Sequence, residues 1–166
     1  GSTDDVATER LKQEFFAGEP KVLVTSLRGT LTEGVDYRGD RLAAAIVCGV
    51  PIINTASPKT QAVRTAYDRA FGDTGGRHPD GSSGASASDA GFRYALAVPA
   101  VRKARQAIGR VIRGPDEVGV RVLCDERYAK ESWDSVRELL GEAEREEFRP
   151  VGTDMFGYAL EQFWGE

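Results

Sequence analysis

The sequence has little of what metal centres and membrane spans require. It contains two cysteines, Cys48 and Cys124, and a single histidine. No C-x-x-C spacing occurs, so neither zinc nor an iron–sulfur cluster has a ligand set in this chain. Each cysteine lies in an apolar run typical of a strand, which predicts reduced thiols in the core of a cytoplasmic protein. No apolar run approaches the length of a membrane span, and no signal-peptide pattern is present.

The chain also lacks an excess of positive charge. Its 22 lysines and arginines are outnumbered by 26 acidic residues, giving a formal net charge of −4. This excludes a protein that is basic throughout, although a local basic patch is compatible with it. Basic residues are concentrated in one stretch: Arg102, Lys103, Arg105, Arg110 and Arg113. The length of 166 residues predicts one domain covering 1–166.

Apolar periodicity predicts an α/β fold. Helices are expected at 4–16, 58–71, 99–113, 132–140 and 153–164, buried strands at 21–26, 42–49 and 119–125, and an extended piece at 94–98. Strands separated by helices predict a mainly parallel sheet with helices on both faces. The 58–71 helix is expected to turn Val63, Ala66, Tyr67 and Ala70 inward, and the aromatic residues of the last helix are expected in the core.

Two stretches rich in glycine are predicted as loops. The first, at 27–40, follows a predicted strand, which is where open α/β sheets place ligands, and it carries the carboxylates of Glu33 and Asp36. The second, at 72–91, is poor in apolar residues and dense in glycine and serine, which predicts a mobile surface loop. The only histidine, His78, lies in it and is predicted to be solvated rather than catalytic.

The stretch QAIGRVIR, at 106–113, is the centre of the functional interpretation. On a helix Gln106, Arg110 and Arg113 would share one face, opposite Ala104, Ile108, Val111 and Ile112, and Gly109 would permit close approach. Guanidinium groups present forked donors that fit phosphate oxygens. Spacing alone is explained more simply by an amphipathic helix with a solvated basic face.

The surroundings of this stretch resemble a known family. Q-x-x-G-R-x-x-R is similar to motif VI of superfamily 2 helicases, and R-G-x-x-x-E-G-x-D, within 26–42, is similar to motif V. Between them, CGVPIINTASPKTQAVRTAYDRAF resembles the linking segment of XPD-like DNA helicases and their DinG relatives. A tetrad like Asp125–Tyr128 closes the following strand in that family. The chain is therefore identified as resembling the second, C-terminal RecA-like motor domain of these helicases.

The resemblance implies a set of residue roles. Arg110 and Arg113 would stabilise the transferring γ-phosphoryl group of ATP, with Gln106 helping to position it. Gly34, Asp36 and Gly109 would lie at the nucleotide, Asp36 near its ribose. Arg28, Gly29 and Thr30 would lie at the DNA, with Thr30 and nearby backbone amides at a phosphate. The expected partners are single-stranded DNA and the first motor domain, with 5′→3′ movement and a role in DNA repair; no membrane partner is expected.

The sequence lacks motifs that the first motor domain would supply. Neither G-x-x-x-x-G-K-[ST] nor D-E-x-H occurs, so Mg²⁺ would be held mainly by that other domain and the isolated chain is expected to be inactive. The strand with motif IV should precede Val22, which predicts an N-terminally incomplete sheet with an exposed edge. Two alternatives stay open: a non-catalytic nucleic-acid or protein binding module of the same fold, and an RNA helicase domain.

Overall fold

The computed structural model describes residues 3–27, 42–72, 89–112, 114–132 and 134–165, without the side chains of 3–5 and Asp89. The chain divides into two compact units, Gly1–Asp125 and Glu126–Glu166, and each is described by itself. The prediction of one domain over 1–166 stays a prediction. Most of both predicted glycine-rich loops lies outside the described residues.

The first unit contains a small parallel sheet. Strands β1 (Ala44–Cys48) and β2 (Val120–Cys124) pair in parallel, in a register that joins Ala44 to Val120 and Cys48 to Cys124. This confirms two of the three predicted strands and their parallel direction. In β1 only Val47 is buried, and both cysteines are exposed, so the prediction of buried strands with core thiols is wrong. Alternation explains this, because only every second residue faces the packed side of a sheet.

The third predicted strand, at 21–26, does not form. This segment has no regular structure, and the side chains of Val22 and Val24 are 91% and 90% exposed. A valine-rich run makes a strand only where a neighbour completes its hydrogen-bond ladder, and among the described residues β1 pairs only with β2. Lys21 instead donates through Nζ to the carbonyl oxygens of Glu14 and Ala17.

Glu14 and Ala17 lie on either side of the last residue of the helix α1 (Thr3–Phe16), and the bounds of α1 confirm the predicted 4–16 helix. Gly18 follows with φ of 74°, a left-handed conformation that glycine adopts without steric penalty. The apolar residues of α1 are not buried, since Val6 is exposed and Leu11 is exposed as well. The helix is supported along its surface by the ion pair between Arg10 and Glu14, 2.8 Å apart.

Helix α2 (Pro58–Phe71) confirms the predicted helix with proline in its first turn, but only part of its predicted inner face. Thr60 is its buried residue, whereas Val63 is exposed. The packed side is defined by the short helix α3 (Asp89–Phe92), which approaches so closely that a Cβ at Gly91 would lie 2.5 Å from the Arg64 carbonyl oxygen. Tyr67 also lies on the packed side as predicted, since its ring stacks on that of Tyr94 with the ring centres 5.9 Å apart.

The predicted extended piece at 94–98 is helical. A π-helical turn at Arg93–Ala97 joins α3 to the helix α4 (Val98–Ile108). The apparent alternation of Tyr94, Leu96 and Val98 was misleading, because Ala95, Leu96 and Ala97 are all buried. The wide turn also suits Pro99, which has no N–H and whose ring would collide with the carbonyl group four residues earlier in a regular helix.

Helix α4 packs against both strands and supplies more buried apolar residues than any other element of the first unit. Its buried residues are Ala100, Val101, Ala104 and Ile108. It ends at Ile108, five residues before the predicted end at Arg113, because a turn begins at Gly109. The described part of this unit is therefore α/β, with a small parallel sheet under one helix.

The second unit is mainly helical turns and two helices. The predicted helix at 132–140 is reduced to a 3₁₀ turn at Arg137–Leu139, followed by an unpredicted short helix, α5 (Glu142–Glu147). The buried apolar side chains of the second unit are Tyr128, Val136 and Leu140. The predicted last helix is confirmed as α6 (Phe156–Gly165), but no residue of α6 is buried. The expectation that Phe163 and Trp164 belong to the core is wrong.

Candidate functional site

Three of the nine residues assigned to sites from the sequence lie in the described parts of the chain. Gln106 lies in the last turn of α4, Gly109 follows the end of the helix, and Arg110 lies in the turn after it. The other six lie outside the described residues: Arg28, Gly29, Thr30, Gly34, Asp36 and Arg113. The candidate site is therefore built from the end of α4 and the segment that follows it.

The last turn of α4 is tightened by backbone hydrogen bonds. The N–H of Gly109 donates to the carbonyl oxygen of Arg105 over 2.8 Å, and the N–H of Arg110 donates to that of Ala107 over 3.4 Å. A hydrogen bond that spans three residues, like the one from Arg110 to Ala107, satisfies a carbonyl group that a helix leaves without a partner at its end. Gly109 has φ of −66° and ψ of −3°, so α4 ends without the left-handed glycine that follows many helices.

This corrects the predicted geometry of the phosphate-binding face. Gln106 lies on the helix, but Arg110 lies in the turn after it, so the two are not members of one continuous helical stripe that extends to position 113. Gly109 begins this turn. A Cβ at this position would lie 2.9 Å from the carbonyl oxygen of Arg105, so the close neighbour is the preceding turn of the chain itself.

Val111 anchors the segment after α4 to the sheet. Its side chain is 4% exposed, and its Cγ1 lies 2.2 Å from the place that a Cβ on Gly119 would occupy. The same Cβ would lie 3.0 Å from the carbonyl oxygen of Ala43. Position 119 therefore requires glycine, because any side chain would displace Val111 or the start of β1. This packing fixes the backbone on the C-terminal side of Arg110.

Arg110 is held in a half-buried position by this arrangement. Its Nε atom is shielded from solvent, whereas Gln106 one turn earlier is exposed. A cation at a helix C-terminus interacts favourably with the helix dipole, so the position is electrostatically suitable for an arginine even without a ligand. The geometry thus combines a permanently charged, oriented guanidinium with an exposed amide nearby.

The structure also shows a basic stripe that the sequence assignment left out of the site. Along the solvent side of α4 the exposed residues are Pro99, Arg102, Arg105, Gln106 and Gly109. Spacings of three and four residues place them on one face, opposite the buried Ala104 and Ile108. The concentration of basic residues was visible in the sequence, and the structure shows that Arg102 and Arg105 are exposed on the same face as Gln106.

A second feature lies at the opposite end of the strands. Gly49 follows β1 with φ of 81°, and its N–H donates to the carbonyl oxygen of Cys124 over 3.1 Å. A Cβ on Gly49 would lie 4.0 Å from Oδ2 of Asp125, the residue after β2. These residues are at the carboxyl ends of the strands, whereas Val111 and Gly119 are at the amino end of β2. The structure does not bring the two features together.

Two further findings concern the described residues as a set. No group of three or more histidine, cysteine, aspartate or glutamate residues among them could hold a metal ion. In the same parts of the chain, no helix is long and apolar enough to cross a membrane.

Comparison with known proteins agrees with the motif analysis. The profile of the family described as "Helicase C-terminal domain" matches residues 2–142. This chain belongs to that family. The XPD helicase subunit of the general transcription and DNA repair factor IIH from Schizosaccharomyces pombe is 33% identical over 129 residues, which is 75% of this chain. The corresponding Dictyostelium discoideum protein is 28% identical over 127 residues, 74% of this chain.

An ATP-dependent DNA helicase, chl1, from Aspergillus fumigatus is 28% identical over 129 residues, 77% of this chain. The inference of an XPD-like helicase C-terminal domain is therefore confirmed. The chain spans only 14% of the length of both XPD proteins and 16% of that of chl1. No solved structure matches it significantly.

Proposed function

We propose that this chain is the second, RecA-like motor domain of a longer ATP-dependent DNA helicase of the XPD type. In that protein it would couple ATP hydrolysis to 5′→3′ movement along single-stranded DNA and to unwinding, in DNA repair. The proposal is supported by the helicase C-terminal family match over 2–142 and by relatives named as DNA helicases. Its larger sheet, with helices on both faces, and its single-domain organisation are parts of the same proposal.

The observation that carries the proposal is the position of Arg110. It lies in a turn fixed by hydrogen bonds on one side and by the packing of Val111 on the other, with its Nε shielded. A guanidinium oriented in this way can stabilise negative charge that develops on a phosphoryl group, without reorganising as the reaction proceeds. A solvated surface arginine would have neither the fixed backbone nor the shielded Nε.

The remaining roles are those that the resemblance to XPD-like helicases implies, and we propose them together with the Arg110 assignment. Arg110 and Arg113 contact the γ-phosphate of ATP at the interface with a first motor domain, and Gln106 helps to position it. Gly34, Asp36 and Gly109 lie at the nucleotide, and Arg28, Gly29 and Thr30 contact a DNA phosphate. The first motor domain supplies the phosphate loop and the carboxylates that hold Mg²⁺, which would neutralise charge on the phosphates.

The test is steady-state ATP hydrolysis by the longer protein with saturating single-stranded DNA. Arg110→Ala is expected to lower kcat strongly, since an arginine that contacts the transferring group is worth roughly 10³–10⁵ in rate. The KM for ATP should change much less, because most ground-state contacts would come from the first domain. Arg110→Lys should restore little, because an ammonium group does not reproduce the planar fork.

Arg10→Ala is the matched control, because Arg10 is an exposed arginine of α1 that pairs with Glu14. It should leave kcat unchanged. The melting temperature of Arg110→Ala should be measured in parallel, so that lost activity is not confused with lost folding. A kcat for Arg110→Ala within about twofold of the parent protein would remove Arg110 from the mechanism.

A further inference from the structure

The two cysteines of the chain meet at the carboxyl ends of the paired strands. Cys48 is the last residue of β1 and Cys124 the last of β2, and the two are register partners. Both are free and exposed. Register partners on neighbouring strands project from the same face of a sheet, so their thiols lie on one side of it.

This side is the open face of the sheet. Val47 is 3% exposed, whereas Ile46 and Cys48 on either side of it are exposed. Successive residues of a strand point to opposite faces, so the cysteines share a face with Ile46 and not with Val47. Small reagents in solution can therefore reach both thiols.

The separation of the two residues suits a covalent link. Neighbouring strands lie about 4.7–4.9 Å apart, within the range of about 4.4–6.8 Å that the Cα atoms of a disulfide span. The Cβ atoms of such a pair must approach slightly for ideal geometry. Both residues are strand ends, followed by Gly49 with its left-handed φ and by a bend at Asp125, so a small adjustment disrupts no further ladder.

We propose that Cys48 and Cys124 form a thiol pair that a small-molecule disulfide, such as oxidised glutathione, converts to an intramolecular disulfide between β1 and β2. In the first step one protein thiolate attacks a sulfur of oxidised glutathione, which forms a mixed disulfide and releases one glutathione. In the second step the other protein thiolate attacks the protein sulfur of the mixed disulfide and releases the second glutathione.

The balance of the reaction is complete in these two steps. The two protein thiols lose two electrons and two protons in all, and one molecule of oxidised glutathione becomes two molecules of the thiol. The product closes the chain from Cys48 to Cys124 into a loop, which restricts the unfolded state. Oxidised protein should therefore melt at a higher temperature than reduced protein.

The test is anaerobic incubation of the purified chain with oxidised glutathione, followed by mass spectrometry without reduction. The expected product has lost two hydrogen atoms and carries no glutathione. Trypsin should release peptides 42–59 and 122–127 joined by a disulfide, because these fragments contain Cys48 and Cys124. A rise in melting temperature that dithiothreitol reverses should accompany the change.

The single variants Cys48→Ser and Cys124→Ser serve as controls. Each should keep one glutathionyl group, because no second thiol is present to displace it. Phenylarsine oxide, which bridges two neighbouring thiols, should bind one molecule per parent chain and be lost from either variant on washing. The proposal is overturned if the parent chain retains glutathione on both cysteines, if it does not react, or if the disulfide joins separate chains.

Discussion

The backbone N–H of Gly91 donates a hydrogen bond of 2.6 Å to Oδ1 of Asp68, a residue on the preceding helix. Gly91 is in the short helix α3, so the carboxylate of Asp68 lies at a helix start, where free N–H groups and the helix dipole favour negative charge. Because the π-helical turn and α4 follow α3 directly, this contact ties the start of that continuous helical segment to α2.

Replacing Gly91 with alanine should destabilise the first unit. A Cβ there would lie 2.5 Å from the backbone carbonyl oxygen of Arg64 and equally close to Asp68 Oδ1, so α2 and α3 would have to separate. Forced overpacking of this kind costs about 1–3 kcal/mol. Urea unfolding followed by circular dichroism measures it. Gly157→Ala is the control, because nothing lies within 4 Å of a Cβ there and helix propensity favours alanine by up to about 1 kcal/mol.

Replacing Asp68 tests the hydrogen bond itself. Asp68→Ala should lower the free energy of unfolding by about 1.5–3 kcal/mol, the usual contribution of a hydrogen bond to a charged group. Asp68→Asn keeps an acceptor oxygen and removes the charge, so it should cost less. If both variants were as stable as the parent, the contact would make no measurable contribution to the free energy of unfolding. Arg69→Ala is a suitable control, since Arg69 is an exposed neighbour on α2.

The packing of Val111 against Gly119 predicts a non-additive pair of substitutions. Gly119→Ala should destabilise the protein by about 1–3 kcal/mol, because the new methyl group would overlap Val111 Cγ1 at 2.2 Å. Val111→Ala should destabilise it as well, by leaving a cavity. In the double variant the alanine at 111 makes room for the one at 119.

A double-mutant cycle measures this compensation. The double variant should be more stable than the sum of the single changes implies, by about 0.5–3 kcal/mol. Strict additivity would mean that positions 111 and 119 relax independently, and that Val111 does not fix the segment that carries Arg110. In the longer protein Gly119→Ala should also lower kcat for ATP hydrolysis, and Val111→Ala in the same chain should partly restore it.

The strands that the sequence predicted correctly are those with a partner in the described chain. The apolar runs at 42–49 and 119–125 form β1 and β2, while the valine-containing run at 21–26 has no regular structure and leaves Val22 exposed. Periodicity records which residues can form a strand. Whether they do depends on a neighbour that completes the hydrogen bonds, and that information is not local.

The predictions for the segment before α4 and for the end of α4 were wrong, because packing against distant residues decides both. The alternation at 94–98 suggested an extended chain, but three successive small or apolar residues, Ala95, Leu96 and Ala97, are buried in a π-helical turn. The motif VI stretch was expected to be helical to position 113, yet α4 ends at Ile108. Motif spacing identified the family and selected Arg110 for the proposed site, whereas the turn in which Arg110 lies depends on the packing of Val111 against Gly119.

The final prediction concerns the purified chain on its own. It should not hydrolyse ATP at a measurable rate, with or without single-stranded DNA. The sequence has no G-x-x-x-x-G-K-[ST] phosphate loop, so in the proposed two-domain motor Arg110 of the isolated chain has no positioned triphosphate to act on. In a two-domain motor, catalysis depends on bringing the phosphoryl group and the arginine together. One domain alone cannot do so.

A phosphate-release assay with and without oligo-dT measures this directly. The longer protein that contains this chain is the positive control, and the isolated Arg110→Ala chain is the matched negative. Activity present in both isolated chains would indicate a contaminating enzyme. DNA-stimulated turnover by the isolated parent chain, abolished by Arg110→Ala, would show instead that this domain alone carries a complete site, and the assignment to the second half of a two-domain motor would fail.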